Sequence, residues 1–358
     1  MAGTLTLQGL TLRGGGAFQG GGLFNSGTVT LHHCTLTENE VISTGGGIFN
    51  QGTLTLRDSL LRDNRTTFGA GGGGLTNGGL VSITRVTFDH NSGDGPGGGL
   101  VNGGTMTIAH TTFVSNASFS SGGGLANGGT LTITDSTFVS NGGFVAGGGL
   151  INTGTLVISN TTFNDNQSNL SGGGGLANFD FGTLTLINST IAGNRTFATG
   201  GGGLTNEGSG TVRVANTILA GNIRFVGPPS MIPTPVPDEC HGAVTSLGHN
   251  LIGDPTGCTI TLQPSDLTGD PGLGPFTDNG RPGNGHFPLL PTSQAIDAGN
   301  DAVCPRWDQL GQRRLGPCDI GAIEFRARDD QHDKEDDQHD EDDDQHDKDP
   351  AAAARASQ

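Results

Sequence analysis

Apolar and polar residues alternate along most of the chain in short runs such as TLTI, TMTI, STF and TTF, and no stretch shows the 3.6-residue recurrence of an amphipathic helix. The runs predict short strands with one face inward and one outward. Two marks recur between them. The first reads GGGLFN, GGGIFN, GGGLTN, GGGLVN, GGGLAN, GGGLIN, GGGLAN and GGGLTN, ending at Asn25, Asn50, Asn77, Asn102, Asn127, Asn152, Asn178 and Asn206. The second reads LTEN, LRDN, FDHN, FVSN, FVSN, FNDN, IAGN and LAGN, ending at Asn39, Asn64, Asn91, Asn116, Asn141, Asn166, Asn194 and Asn222. Both return every 25 to 28 residues and keep phase through eight units, which defines a repeat.

Each unit reads as three short strands and three turns. A unit of that size cannot bury its apolar side chains alone, so units must stack, each strand pairing in parallel with its counterpart in the next coil. The predicted fold class is all-β: a right-handed parallel β-helix with three strands per coil of about 25 residues. Some nine or ten coils at about 4.8 Å each make a rod roughly 45 Å long.

Period-two alternation points Leu23, Ile48, Leu75, Leu100, Leu125, Leu150, Leu176 and Leu204 inward as one stack, and Leu36, Leu61, Phe88, Phe113, Phe138, Phe163, Ile191 and Ile218 as another. Two residues before the second stack the side chains are mostly small, so Cys34 at that position reads as a buried hydrophobe. Both Asn series fall at turns, where Asn tolerates left-handed backbone and its amide can bond the Asn one coil above or below. They are read as structural ladders. The GGG runs read as tight bends where coils approach closely; phosphate binding would need a following helix and a Lys.

Composition agrees with a repetitive interior: 66 glycines, no tyrosine and one tryptophan in 358 residues do not make an ordinary globular core. Of the 34 acidic residues behind the net charge of −17, 13 lie between Asp329 and Asp349. The other 21 face 14 arginines in residues 1–328, and that mild acidity argues against a nucleic-acid groove. No run of 18 apolar residues predicts a membrane span.

The paired GGGL and FxxN marks resemble the repeats of polymorphic outer membrane proteins, which are bacterial surface β-helices, with GGG here in place of that family's usual GGA. Through SLGHNLI, GDPGLGPFTDNG, AIDAGN and CDIGAIEF, the segment from Cys240 to Phe325 resembles the choice-of-anchor Q domain of secreted bacterial β-helix proteins. These resemblances imply an extracellular or cell-surface location and bring no enzymatic role and no cofactor. The expected organisation is β-helix repeats over 1–225, a Pro-rich loop over 226–239 that leaves the sheet, a module over 240–325 that continues and caps the solenoid, and an acidic disordered tail over 326–358. GTLTLQGLTLRGG opens in mid-pattern, so a signal peptide and a cap are expected upstream.

The expected function is a monomeric, non-enzymatic structural or adhesive rod that meets a surface protein or glycan. Pectin-degrading enzymes share the pectin lyase-like solenoid, which makes a polysaccharide-binding protein, lyase or hydrolase the alternative. That chemistry needs carboxylates converging on one face, or a base with clustered Asp holding Ca²⁺. Most acids of the repeats, Asp58 and Asp135 among those considered, read as residues at or near turns, not stacked at one position. Asp89, His90 and Asp94 on one turn, with His110 a coil later, come closest to a constellation, while His32 and His33 lie at a strand corner without a carboxylate partner in their own coil. Outward Thr pairs such as Thr28/Thr30 and Thr105/Thr107 suggest a minor ice-binding alternative, interrupted at Leu80, Val157 and Arg213. Phe24 and Phe49, outward in adjacent coils, mark a small apolar spot.

Cys240, Cys258, Cys304 and Cys318 allow three pairings, of which the local one, Cys240 with Cys258 and Cys304 with Cys318, closes short loops. Each such loop is worth on the order of 3 kcal/mol and requires an oxidising compartment. Asp297 and Asp319 read as turn caps for backbone N–H groups, with Ca²⁺ ligation the alternative.

In the tail, DDQHDKE, DDQHDED and DDQHDKD place His332, His339 and His346 seven residues apart in a segment with nothing apolar to bury. Weak capture of divalent cations is its sharper reading, His with Asp serving Zn²⁺ or Ni²⁺ and the carboxylates alone Ca²⁺. A peptide covering Asp329 to Asp349 is expected to bind Zn²⁺ in a titration and to lose that binding when all three histidines become alanine; unchanged binding would leave only a solvating tail.

Overall fold

The computed structural model describes residues 3–69, 71–197, 199–227 and 233–327. The tail histidines His332, His339 and His346 lie outside the described residues. All the architecture below belongs to the compact unit Met1–Phe325. Among the described residues the one helical element is the 3-10 turn Pro255–Gly257, and no helix is long and apolar enough to cross a membrane.

The chain is an all-β, right-handed parallel β-helix. In one coil, strands Leu100–Asn102, Thr105–Ala109 and Thr112–Val114 are followed by a two-residue pairing at Ala117–Ser118. Each pairs in parallel with the next coil, Leu100 facing Leu125, Thr105 facing Thr130, Thr112 facing Thr137 and Ala117 facing Gly142. Between the second and third strands one residue takes left-handed backbone, as at His110 with φ 48°. That kink resets the alternation, so Ile108, Thr111 and Phe113 all point inward and are buried. At the GGG bends Gly97 has φ 72°, and a Cβ on Gly99 would lie 2.5 Å from the Gly124 carbonyl oxygen. Only glycine meets both demands.

Inside, Phe88, Phe113, Phe138 and Phe163 stack face to face with ring centroids 4.6 to 4.7 Å apart, beside the buried column from Ile48 to Leu204. One inward assignment is corrected. The partner of Ile191 in the next coil is Leu219, while Ile218 follows Thr190 and faces outward, where it is buried in a second small core with Leu251, Leu289, Ala295 and Ile320. LAGN aligned on its first letter puts Leu219, three before Asn222, in the main stack.

The Asn amides bond from coil to coil. In the first series each Nδ2 donates to the next Oδ1 at 2.6 to 2.8 Å, from Asn25 through Asn206. In the second, both the backbone N–H and Nδ2 of each Asn donate to the Oδ1 of the next, and Nδ2 also reaches a strand carbonyl, as from Asn116 to Phe88 at 2.9 Å. The second ladder ends on a carboxylate. Glu239 accepts from Asn222 Nδ2 at 2.7 Å and from the N–H groups of Asn222 and Gly221 at 3.1 and 2.9 Å.

The Pro-rich segment does not leave the sheet entirely. Thr234–Pro237 pairs antiparallel with Ile223–Val226 as the last strand of its sheet, a place where a proline's missing N–H costs no ladder bond. The rod continues through Cys240–Ser246, Cys258–Thr261 and Leu267–Thr268, with Cys240 bonded to Cys258. From Asp270 to Phe325 the chain leaves the coil pattern. It runs back along the side of the rod as an irregular arm.

Outward-facing hydroxyls of the third strands, buried beneath the arm, hold it in place. Gly283 N–H donates to Thr112 Oγ1 at 2.8 Å, Thr162 Oγ1 donates to Gln309 Oε1 at 2.6 Å, and Ala322 N–H donates to Thr190 Oγ1 at 3.1 Å. Within the arm Cys304 is bonded to Cys318, and Arg314 pairs with Glu324 at 3.0 Å, both side chains 4% exposed. Asp319 accepts the N–H groups of Asp297 and Phe325 at 2.7 and 2.5 Å. Asp297 itself occupies left-handed backbone, φ 57°, and serves as donor in that pair.

Replacing Asn116 by Ala would strand two donors of Asn91 and the Phe88 carbonyl inside the wall. Denaturant unfolding should show a loss of about 2–4 kcal/mol, against less than about 0.5 kcal/mol for exposed Thr107→Ala. Burial pushes the Asp319 carboxyl up to about 6 from 3.8, so the folded chain holds this proton more tightly than the unfolded one between those values. Its contribution to stability therefore falls as pH rises through that window and is level above it. Hydrogen exchange at the Asp297 and Phe325 amides, corrected for intrinsic rate, should show stronger protection near the bottom of the window than at neutral pH; the reverse order would mean that Asp319 stays ionised throughout.

Candidate functional site

The left-handed corner residue stands six positions before the second-series Asn in eight successive coils: His33, Asp58, Arg85, His110, Asp135, Asn160, Asn188 and Asn216, with φ between 43° and 54°. Asn, Asp and His are the side chains that enter this region most readily. The strands leading to the corner are in register, His32 facing Arg57, Arg57 facing Thr84 and Thr84 facing Ala109, so the corner residues form one column on the outside of the rod.

The arm divides this column. Asn160 Nδ2 donates to the Trp307 carbonyl at 2.7 Å, Asn188 Nδ2 to that of Asp319 at 3.1 Å and Asn216 Nδ2 to that of Asn300 at 3.2 Å. The amide half is covered. The arm's tip ends over His110, where a Cβ on Gly283 would lie 2.7 Å from the His110 Cα. Beyond it opens a cleft of about 680 Å³ whose floor includes His33, Asp58, Arg85 and His110 and whose wall includes Arg281 and Asn284 from the arm.

Within the cleft, Asp58 accepts Arg85 Nε at 2.5 Å and Nη2 at 2.9 Å, and His32 Nε2 lies 3.2 Å from its Oδ2. Arg85 holds the Asp58 carboxyl below the usual carboxylate range, and Asp58 in turn raises the guanidinium. At the boundary, His110 Nε2 is 3.9 Å from Asp135 Oδ2, and Asn160 Nδ2 donates to Asp135 Oδ1 at 3.0 Å. Burial raises the Asp135 carboxyl.

Several expectations change. Asp58 and Asp135 are stacked at one position after all, in the corner column. His32 and His33 do have a carboxylate partner, supplied by Asp58 of the next coil rather than their own. Asp89, His90, Asp94 and His110 do not converge: Asp89 contacts His90 at the following corner and lies 3.3 Å from Arg62, Asp94 accepts the Phe68 N–H at 3.0 Å, and His110 belongs to the cleft column. Phe24 is exposed but Phe49 is buried, their rings 5.4 Å apart, so no two-residue apolar spot forms. The outward Thr rows are in register, and Leu80, Val157 and Arg213 interrupt them on exposed positions.

Sequence reasoning passed over Asp58 and Arg85 as site residues, although the constant offset of six from the Asn mark carries the signal. Arg281 had no such signal, because the arm has no repeat. Residues 3–155 match the family model described as a right handed beta helix region. No curated protein matches the chain.

Proposed function

We propose that this protein is a rigid, non-enzymatic rod of the cell exterior that binds a carboxylate-bearing polysaccharide in the cleft beside the arm. One observation carries the reading: in a chain that is acidic overall, the cleft gathers Arg85, Arg281, His33 and His110 around a single carboxylate, Asp58. Guanidinium groups grip carboxylates through paired N–H donors, and Arg85 keeps Nη1 beyond the two nitrogens it places on Asp58. Asp58, held ionised by Arg85, lacks the raised affinity for a proton that a general acid needs, which favours binding over hydrolysis. The two disulfides are compatible with an extracellular location.

A second reading rests on His110 and Asp135, a base and its orienting carboxylate at the cleft edge. Such a pair suits proton abstraction beside a carboxylate, which is eliminative cleavage of the same polymer.

The full chain should bind a polyuronate but not its methyl-esterified form, with Arg281→Ala weakening binding at least about tenfold and added salt weakening it further. Equal binding by the Arg281 variant would overturn the assignment of the cleft. Shortening of the polymer, lost in His110→Asn, would replace the binding reading with the eliminative one.

A further inference from the structure

We infer that His32, His33 and Asp58 form a binding site for a divalent transition-metal ion of the Zn²⁺ class. The site follows from the corner. In a regular strand consecutive side chains point to opposite faces, but left-handed backbone at His33, φ 51°, swings its ring onto the side of His32, and the two imidazole centroids lie 4.0 Å apart. The coil register then brings Asp58, the next residue of the corner column, to the same place, with His32 Nε2 3.2 Å from Asp58 Oδ2. One donor atom from each of the three side chains lies within 4.8 Å of the others.

Two imidazoles and one carboxylate form a donor set for Zn²⁺, Ni²⁺ or Cu²⁺; Ca²⁺ and Mg²⁺ prefer all-oxygen shells. Arg85 does not fill the set. A carboxylate offers about four lone-pair sites, and the guanidinium takes one on each oxygen while fixing the carboxylate plane, the part an outer partner plays at many metal sites. His33 is exposed and lines the cleft, so further coordination positions open onto solvent there.

The site needs no glycan, so its test is separate from that of the polysaccharide reading. Calorimetric titration of the full chain with Zn²⁺, in a background where His332, His339 and His346 are alanine, should show one saturable site. His33→Asn keeps a side chain that the left-handed corner accepts, as Asn160, Asn188 and Asn216 do in the same column, and should weaken binding at least about tenfold. His32→Gln, on the neighbouring strand position, should do the same. Circular dichroism and unfolding midpoints unchanged in both variants would tie the loss to ligation. Absence of saturable binding up to millimolar Zn²⁺, or binding equal in the parent and both variants, would overturn the site.

Discussion

Register between coils is the constraint on which everything else here depends. Each buried Asn amide finds its partner only if the counterpart Asn sits directly above it, and a slip of one residue would turn the inward Leu and Phe stacks out to solvent and strand the amides inside the wall. The apolar stacks and the polar ladders therefore enforce the same alignment. Their agreement lets 25-residue units accept insertions, as at the 27- and 28-residue spacings, without losing phase.

The exterior inherits that order. Because the strands on both sides of each corner are pinned, the corner residues line up in a column whether or not they contribute to folding, and the chain uses the two halves of the column differently. Its amide half, Asn160 to Asn216, receives the backbone of the arm; of the ionisable members, His33 to His110 face the cleft, and Asp135 at the boundary accepts a hydrogen bond from Asn160. The division follows the chemistry of the side chains. A neutral amide can be covered at the cost of one hydrogen bond, whereas covering an ion requires a partner for its charge.

Much of this was legible in the sequence. The paired marks specified the coil, the stacks and the ladders, since each is a local pattern repeated many times. The misplacement of Ile218 arose where the eighth unit carries two adjacent apolar residues, Ile218 and Leu219, and alternation alone did not choose between them. The association of His32 and His33 with Asp58 was missed because partners were sought within one coil, while a solenoid places its nearest neighbours one whole repeat away in sequence. The arm was the least legible part. It has no period, and its contacts are scattered: hydrogen bonds to Thr hydroxyls and corner Asn amides of distant coils and a small apolar core around Ile218.

Glu239 gives the second ladder a direction. Every amide in that ladder presents its oxygen to the preceding coil and its nitrogen to the following one, so the small dipoles add along the rod and their positive end falls on the carboxylate. Interior rungs are interchangeable; the terminal one is not. The ladder alone would accept a whole coil inserted or removed among its interior units with its terminus still satisfied; it is the arm, bonded to Thr112, Thr162 and Thr190 of particular coils, that fixes how many there are.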